Sequence, residues 1–305
     1  MQIEKLILNT KPKKIPLLVF SSKAYNKIQT YLKTDKAKSF EFMFVGNVEL
    51  TSNEVGNIYL VTNTEIIPQC KNSSVYCETD DEKYTKWLME QPVEVRKTIR
   101  LHGHSHVNMA TSPSGTDNDQ ILNMMNYVSD FFIQLIYNHK GDFTINIYDK
   151  KDMLIYKNID LLIQLESGVI YNPSKKELTY SDTLHPEYDK ENNHILLLGD
   201  YYYINVNTQE FIAQDDYITI SSTKGITINI DKDILKDSND KLNSYITTAF
   251  NSYSSYSSKD YFTDYPISEY DYRDYPLDED VYDYPLVNNY KKTEHTTKTK
   301  KGHKK

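Results

Sequence analysis

Cysteine is nearly missing from this chain: Cys70 and Cys77 are the only two among 305 residues. A disulfide-stapled scaffold is therefore excluded, and a reducing, cytoplasmic setting is the expectation. Long apolar runs are missing too. None approaches the roughly 20 residues that span a bilayer, so no membrane partner is expected. The opening Met1-Gln2-Ile3-Glu4-Lys5 does not lead a charged segment into an apolar core, so no secretory signal is expected. Positive charge is in deficit, with 35 Lys and Arg against 43 Asp and Glu, a net charge of −8 and a pI near 5.5. That balance argues against nucleic acid or anionic membranes as the main partner. Several catalytic signatures are absent. The chain has no glycine-rich phosphate loop, no Gly-x-Ser-x-Gly elbow, no Cys-x-x-Cys pair, and no His-x-Glu with a later Pro-Cys-x-x-Cys.

What is present is a soluble balance of 39% hydrophobic and 26% charged residues, enough for one or two cored domains. Ile15 to Phe20 reads as a strand, and Ser21-Ser22 can cap a helix to about Leu32 with Tyr25, Ile28, Tyr31 and Leu32 on one face. Phe40 to Val48 and Asn57 to Pro68 read as strands. Asp80-Asp81 can open a helix carrying Tyr84, Trp87 and Leu88 and closed by Pro92. Thr98 to His106 reads as a strand and Ser114 to Tyr127 as a helix. Phe131 to Tyr137 and Phe143 to Tyr148 form a hairpin, and Met153 to Leu165 is one more extended or helical element. This alternation predicts an α/β domain with a mixed sheet over residues 1–165.

Residues 166–250 predict a small β-rich extension or a second domain, with short strands from Ile195 to Ile230 and a helix within Asp231 to Phe250, and no chemical motif. From Asn251 the character changes. Asp-Tyr-Pro recurs at Asp264, Asp274 and Asp283, and a lysine-rich end runs from Lys291 to Lys305. Repeated proline, acidic residues and sparse aliphatics cannot build a core, so 251–305 is expected to be a disordered or extended tail. It is either a solvated linker or a docking tail whose tyrosines bind a protein partner.

The stretch that carries chemistry runs from Leu101 to Asp117, LHGHSHVNMATSPSGTD. On a strand, residues two apart share a side, so His104 and His106 can present two imidazoles to one ion. Ser114 and Asp117 are three apart on the following helix, and Asp117 can supply a third ligand. Two histidines and a carboxylate leave a fourth tetrahedral position for water, the arrangement of a catalytic zinc. A proton acceptor that is not a ligand is also needed, and Glu41 in its apolar strand is the candidate. Ser114 would donate to the developing oxyanion. Glu49, Glu54, Glu65 and Glu78 are the fallback bases, and Asp119 the alternative carboxylate ligand. His102-Gly103-His104 is a second register, but counting on from it places Gly115 where a carboxylate is required. His102 is then a residue close behind the ligands, a cleft residue or an ordinary histidine. Cys70 and Cys77 have no further soft ligands nearby and read as buried or idle thiols, and His139 as a solvated turn residue.

His-x-His, seven residues, Ser, two residues, Asp is the signature of the JAMM (MPN-plus, JAB-domain) metalloproteases, and this chain resembles that family without a gap. Glu41-Phe42-Met43-Phe44-Val45-Gly46 resembles the family's glutamate-bearing strand, and the wording around the histidines looks most like the bacterial, archaeal and phage branch. The resemblance covers about residues 15 to 160. It implies a mixed sheet flanked by helices, Zn2+ held by His104, His106 and Asp117, catalysis by Glu41 and Ser114, and hydrolysis of peptide or isopeptide bonds. It also implies a protein or peptide substrate, in many relatives ubiquitin or a ubiquitin-like protein. Two positions depart from the pattern. Val107 replaces the proline common after the second histidine, and Met43 or Phe44 replaces a glycine common inside the glutamate strand. The competing readings are a non-catalytic scaffold of the same fold, a relative of the RadC-like branch linked to DNA repair, and a phage structural or processing protein.

Overall fold

A computed structural model describes residues 15–246 except 54–55, 127, 129, 180–186 and 198–201. The tail expected over 251–305 lies outside these residues, as does Glu54. β1 (Leu17–Ser21) leads into α1 (Ser22–Tyr31), whose N-cap Ser21 accepts a hydrogen bond from the Ala24 amide. β2 (Met43–Asn53) and β3 (Gly56–Ile66) form a long antiparallel hairpin. β4 (Gln69–Asn72) and β5 (Cys77–Thr79) make a separate two-stranded sheet. Next come α2 (Asp81–Glu90), capped by Asp80, and the short α3 (Val93–Lys97). β6 (Ile99–His106), α4 (Gly115–Met125), β7 (Phe131–Asn138), β8 (Phe143–Asp149) and β9 (Leu154–Lys157) follow. Then come β10 (Leu161–Gln164), β11 (Ile170–Asn172) and β12 (Glu177–Thr179).

These strands, β4 and β5 excepted, form one ten-stranded mixed sheet in the order β12-β11-β10-β1-β3-β2-β6-β7-β8-β9. β1 runs parallel to β3 and β10, and β6 runs parallel to β7. With five helices among the described residues, the architecture is mixed α/β. A second, six-stranded antiparallel meander comprises β13 (Glu187–Asp189), β14 (His194–Leu197), β15 (Tyr202–Asn205), β16 (Phe211–Gln214), β17 (Ile218–Ser221) and β18 (Gly225–Ile228). α5 (Lys232–Tyr245) ends the described chain and packs on α1 and β3. No helix among the described residues is long and apolar enough to cross a membrane.

The main core joins Tyr25, Ile28 and Tyr31 of α1 to Phe44, Leu101, Ile133 and Ile145 of the large sheet. Tyr202, Ile218 and Ile220 of the meander and Leu242 of α5 enter the same cluster, and Asn26 donates to the Tyr217 and Asn229 carbonyls. β11 and β12 carry the large sheet past residue 165. On the opposite face, Met43 and Val45 pack with Tyr84 and Leu88 of α2, and Ile121 of α4 packs with Phe132 and Tyr148.

Three elements differ from the sequence reading. Phe40 to Val48 becomes Met43–Asn53, because the Glu41 amide bonds the Ser73 carbonyl outside the ladder. Met153 to Leu165 is two strands, split where Asn158 takes a positive φ of 53°. Ile218 to Ile230 is a hairpin turning at Gly225, whose φ is 72°.

Candidate metal centre

β6 lies between β2 and β7 and is buried along its whole length. The pleat sends Leu101 into the main core and His102, His104 and His106 to the other face. Gly103 has to be glycine, because a Cβ there would meet the Phe44 ring at 2.3–2.8 Å. His104 pairs with Met43 of β2 and Ile136 of β7, so two flanking strands set its position.

His104 Nε2 and His106 Nε2 lie 3.1 Å apart, and His104 Nε2 lies 3.5 Å from Asp117 Oδ1. Two nitrogens about 2.0–2.1 Å from one tetrahedral ion would be separated by ~3.3 Å, so the geometry fits a shared cation. The Ala110 carbonyl can only accept, so His106 Nδ1–H donates to it and the Nε2 lone pair is left for a metal. Burial holds His104 down at about 4 against the pull of Asp117, keeping it neutral and able to coordinate. Burial alone would raise Asp117, but His104 and the hydrogen bonds from Ser114 outweigh it and hold the carboxyl below its usual range. His104, His106 and Asp117 can therefore hold a metal ion, with both histidines buried and the aspartate partly so.

Asp117 is placed by a capping box. Ser114 is the N-cap of α4, outside the helix rather than on its face. Its Oγ accepts the Asp117 amide at 3.2 Å and its own amide donates to Asp117 Oδ2 at 2.7 Å.

Glu41 Oε1 lies 4.0 Å from His106 Nε2, buried and without a hydrogen-bond partner. Burial, then the Asp117 charge, push its carboxyl up to about 8. The backbone at Glu41 is clamped by residues that the sequence did not single out. Asn72 Nδ2 donates to the Glu41 carbonyl, Gln69 bonds both the amide and the carbonyl of Met43, and Ser105 Oγ accepts the Phe42 amide. A β4–β5 hairpin hidden in a short polar stretch left no periodic signal to find them by.

No family model and no curated protein matches this chain.

The other candidates lie elsewhere or stay inert. Glu65 pairs with Lys27 and Lys241, Glu78 pairs with Lys71, and Glu49 is exposed. Asp119 is exposed and outside the cluster. His102 is buried on the ligand face with Nε2 unpartnered, and burial pushes it down to about 3, so it is neutral. His139 is half-buried and bonds the Ala37 carbonyl rather than being a freely solvated turn residue. Both cysteines are free. Cys77 is held well above its usual range by burial and by the charges of Glu41 and Asp117, which puts this unreactive thiol beside the centre.

Proposed function

We propose that this chain is a zinc-dependent peptidase or isopeptidase of the JAMM type, acting on a protein or peptide tail. The observation that carries the reading is convergence. Glu41, the two histidines of β6 and Asp117 at the start of α4 come from three separate segments, and each stands next to another member of the set. The large mixed sheet between helices supports the same family reading.

His104, His106 and Asp117 would hold the ion, and two nitrogens plus one carboxylate suit zinc. The chemistry zinc supplies when bound is acidification of water and polarisation of a carbonyl. Glu41 Oε1, unpartnered and unusually basic for a carboxylate, takes a proton from water and delivers it to the leaving amine. The Ser114 hydroxyl donates to the oxygen on which negative charge develops. The buried β6 surface keeps the imidazoles dry and fixed before substrate arrives. The resemblance makes a ubiquitin-like tail joined through lysine the first substrate to try.

The test is elemental analysis of protein purified without added metal, alongside cleavage of a lysine-isopeptide substrate. We expect one zinc per chain, lost in His104→Ala together with all cleavage. A zinc content near zero that His104→Ala leaves unchanged, with no cleavage, would overturn the reading.

A further inference from the structure

The carboxylate beside His106 lies where its own strand has not yet begun. β2 starts at Met43, and its antiparallel register with β6 sets Met43 against His104 and Phe44 against Gly103. Carried two residues back, that register puts Glu41 opposite His106, but no regular ladder extends there. Side chains take the ladder's place. Over Glu41, Phe42 and Met43 all six backbone polar groups are bonded, and side chains serve four of them. The Glu41 amide donates to the Ser73 carbonyl at 2.7 Å, and Asn72 Nδ2 donates to the Glu41 carbonyl at 2.6 Å. The Phe42 amide donates to Ser105 Oγ at 3.1 Å, and the Ser105 amide returns a bond to the Phe42 carbonyl at 2.9 Å. Gln69 Oε1 accepts the Met43 amide at 2.8 Å, and its Nε2 donates to the Met43 carbonyl at 3.1 Å.

Gln69 and Asn72 are buried, at 1% and 2% exposure. Gln69 uses its whole bonding capacity. Its Nε2 donates to the Met43 and Ile67 carbonyls, and its Oε1 accepts from the Met43 amide and from Asn72 Nδ2. Asn72 uses both amide protons, on Glu41 and Gln69, and its Oδ1 is left buried without a partner. Turning the amide over would set Oδ1 against two acceptors, so its orientation is fixed. A buried acceptor without a partner weakens a fold. Asn72 therefore carries a cost in stability where it fixes the place of Glu41.

We propose that Gln69 and Asn72 are positioning residues for hydrolysis, holding the Glu41 carboxylate opposite His106 through the backbone of Glu41 and Met43. The proposal rests on the reading in which Glu41 is the base. A slip of one residue would turn Glu41 to the side of Phe42, which faces the main core. A smaller displacement also matters, because a misplacement of about 1 Å can cost on the order of a hundredfold in rate. Neither side chain reaches the surface or belongs to the ligand group, so the loss falls on kcat rather than on KM or on the metal.

Asn72→Ala tests this through kinetics on the lysine-isopeptide substrate, elemental analysis and amide hydrogen exchange. We expect kcat to fall about tenfold or more, KM to stay within about twofold, and zinc to stay at one per chain. The Glu41 and Met43 amides should exchange about tenfold faster than in the wild type, while those of Ile133 and Leu135 in β7 keep their rates. Thr34→Ala removes a buried bond to the Tyr31 carbonyl, away from the centre, and should change neither kcat nor the exchange of Glu41. In the wild type the Glu41 and Met43 amides should exchange no faster than that of Val45, inside the ladder. Faster exchange there overturns the proposal even if Asn72→Ala fails to fold. Unchanged kcat in folded Asn72→Ala overturns it, and so does a rise in KM alone, which would make Asn72 a substrate contact. A wild type with neither zinc nor cleavage overturns the functional reading and this proposal together, whereas an active wild type with an equally active Asn72→Ala overturns the proposal alone.

Discussion

Glu41 holds its proton far longer than a free glutamate does, and two experiments read that property. In the metal-free protein its folded value is about 8 against an ordinary 4.5, so the folded state binds this proton more tightly than the unfolded chain. The stability it contributes is fully present below 4.5 and is lost as pH rises through 8. His102 and His104, neutral in the fold, contribute the opposite slope below about 6.5, so urea unfolding of metal-free wild type should show its midpoint falling between about 6.5 and 8, and Glu41→Gln should remove that fall. Equal slopes would show that Glu41 is not the group concerned. In the metal-loaded protein, Glu41→Gln should abolish hydrolysis while zinc content stays at one per chain, because glutamine fills the same space but cannot carry a proton. Zinc loss would make Glu41 a ligand. Ser114 has two duties that substitution can separate. Ser114→Ala should lower kcat by on the order of a hundredfold and cost about 1 kcal/mol through the lost cap. Ser114→Asn, which can still cap, should recover the stability alone. Recovery of turnover as well would reduce Ser114 to a helix cap.

At the scale of elements, β6 positions the centre because it is threaded between two strands with no room to shift. Gly103→Ala drives a methyl group into the Phe44 ring, which itself packs on Tyr31 and Phe42. The ring cannot retreat cheaply, so the fold should lose about 1–3 kcal/mol. Zinc affinity should fall as well, since His104 adjoins the strained residue. Thermal melts and chelator competition measure the two effects, and a variant with unchanged melting would mean that the Phe44 ring has space to move. The helix starts were legible because Ser21, Asp80, Ser114 and Asp231 are side chains that satisfy their own local amides. The β4–β5 hairpin and α3 were not, because they are short and are held by distant partners, β4 by Met43 and Glu41 and α3 by Asn47.

At the scale of the whole molecule, the large sheet, the meander and α5 share one core, with Ile246 at its margin only 2% exposed. Truncation after Phe250 therefore keeps every buried contact described here. It should leave metal content and cooperative unfolding intact. The removed segment carries Pro266, Pro276 and Pro285, which interrupt helix and central-strand pairing, and acidic residues that repel one another. Elemental analysis and a thermal melt check this, and a truncated chain that aggregates or loses its metal would show that the core depends on residues beyond 250.

The sequence by itself determined what local chemistry determines. The spacing His-x-His and Ser-x-x-Asp picks out three residues that can hold a metal ion, the caps start the helices, and residue alternation assigns the faces of β6, because these depend on neighbours within a few positions. Only the tertiary structure decided which carboxylate stands beside the imidazoles. The apolar strand around Glu41 made it the first candidate, with Glu49, Glu65 and Glu78 behind it, but sequence does not place any of them in space. One is buried without a partner 4.0 Å from His106, while the others are exposed or held by lysines. That choice depends on long-range strand register, β2 against β6 and the β4–β5 hairpin against Glu41, and no local pattern encodes it.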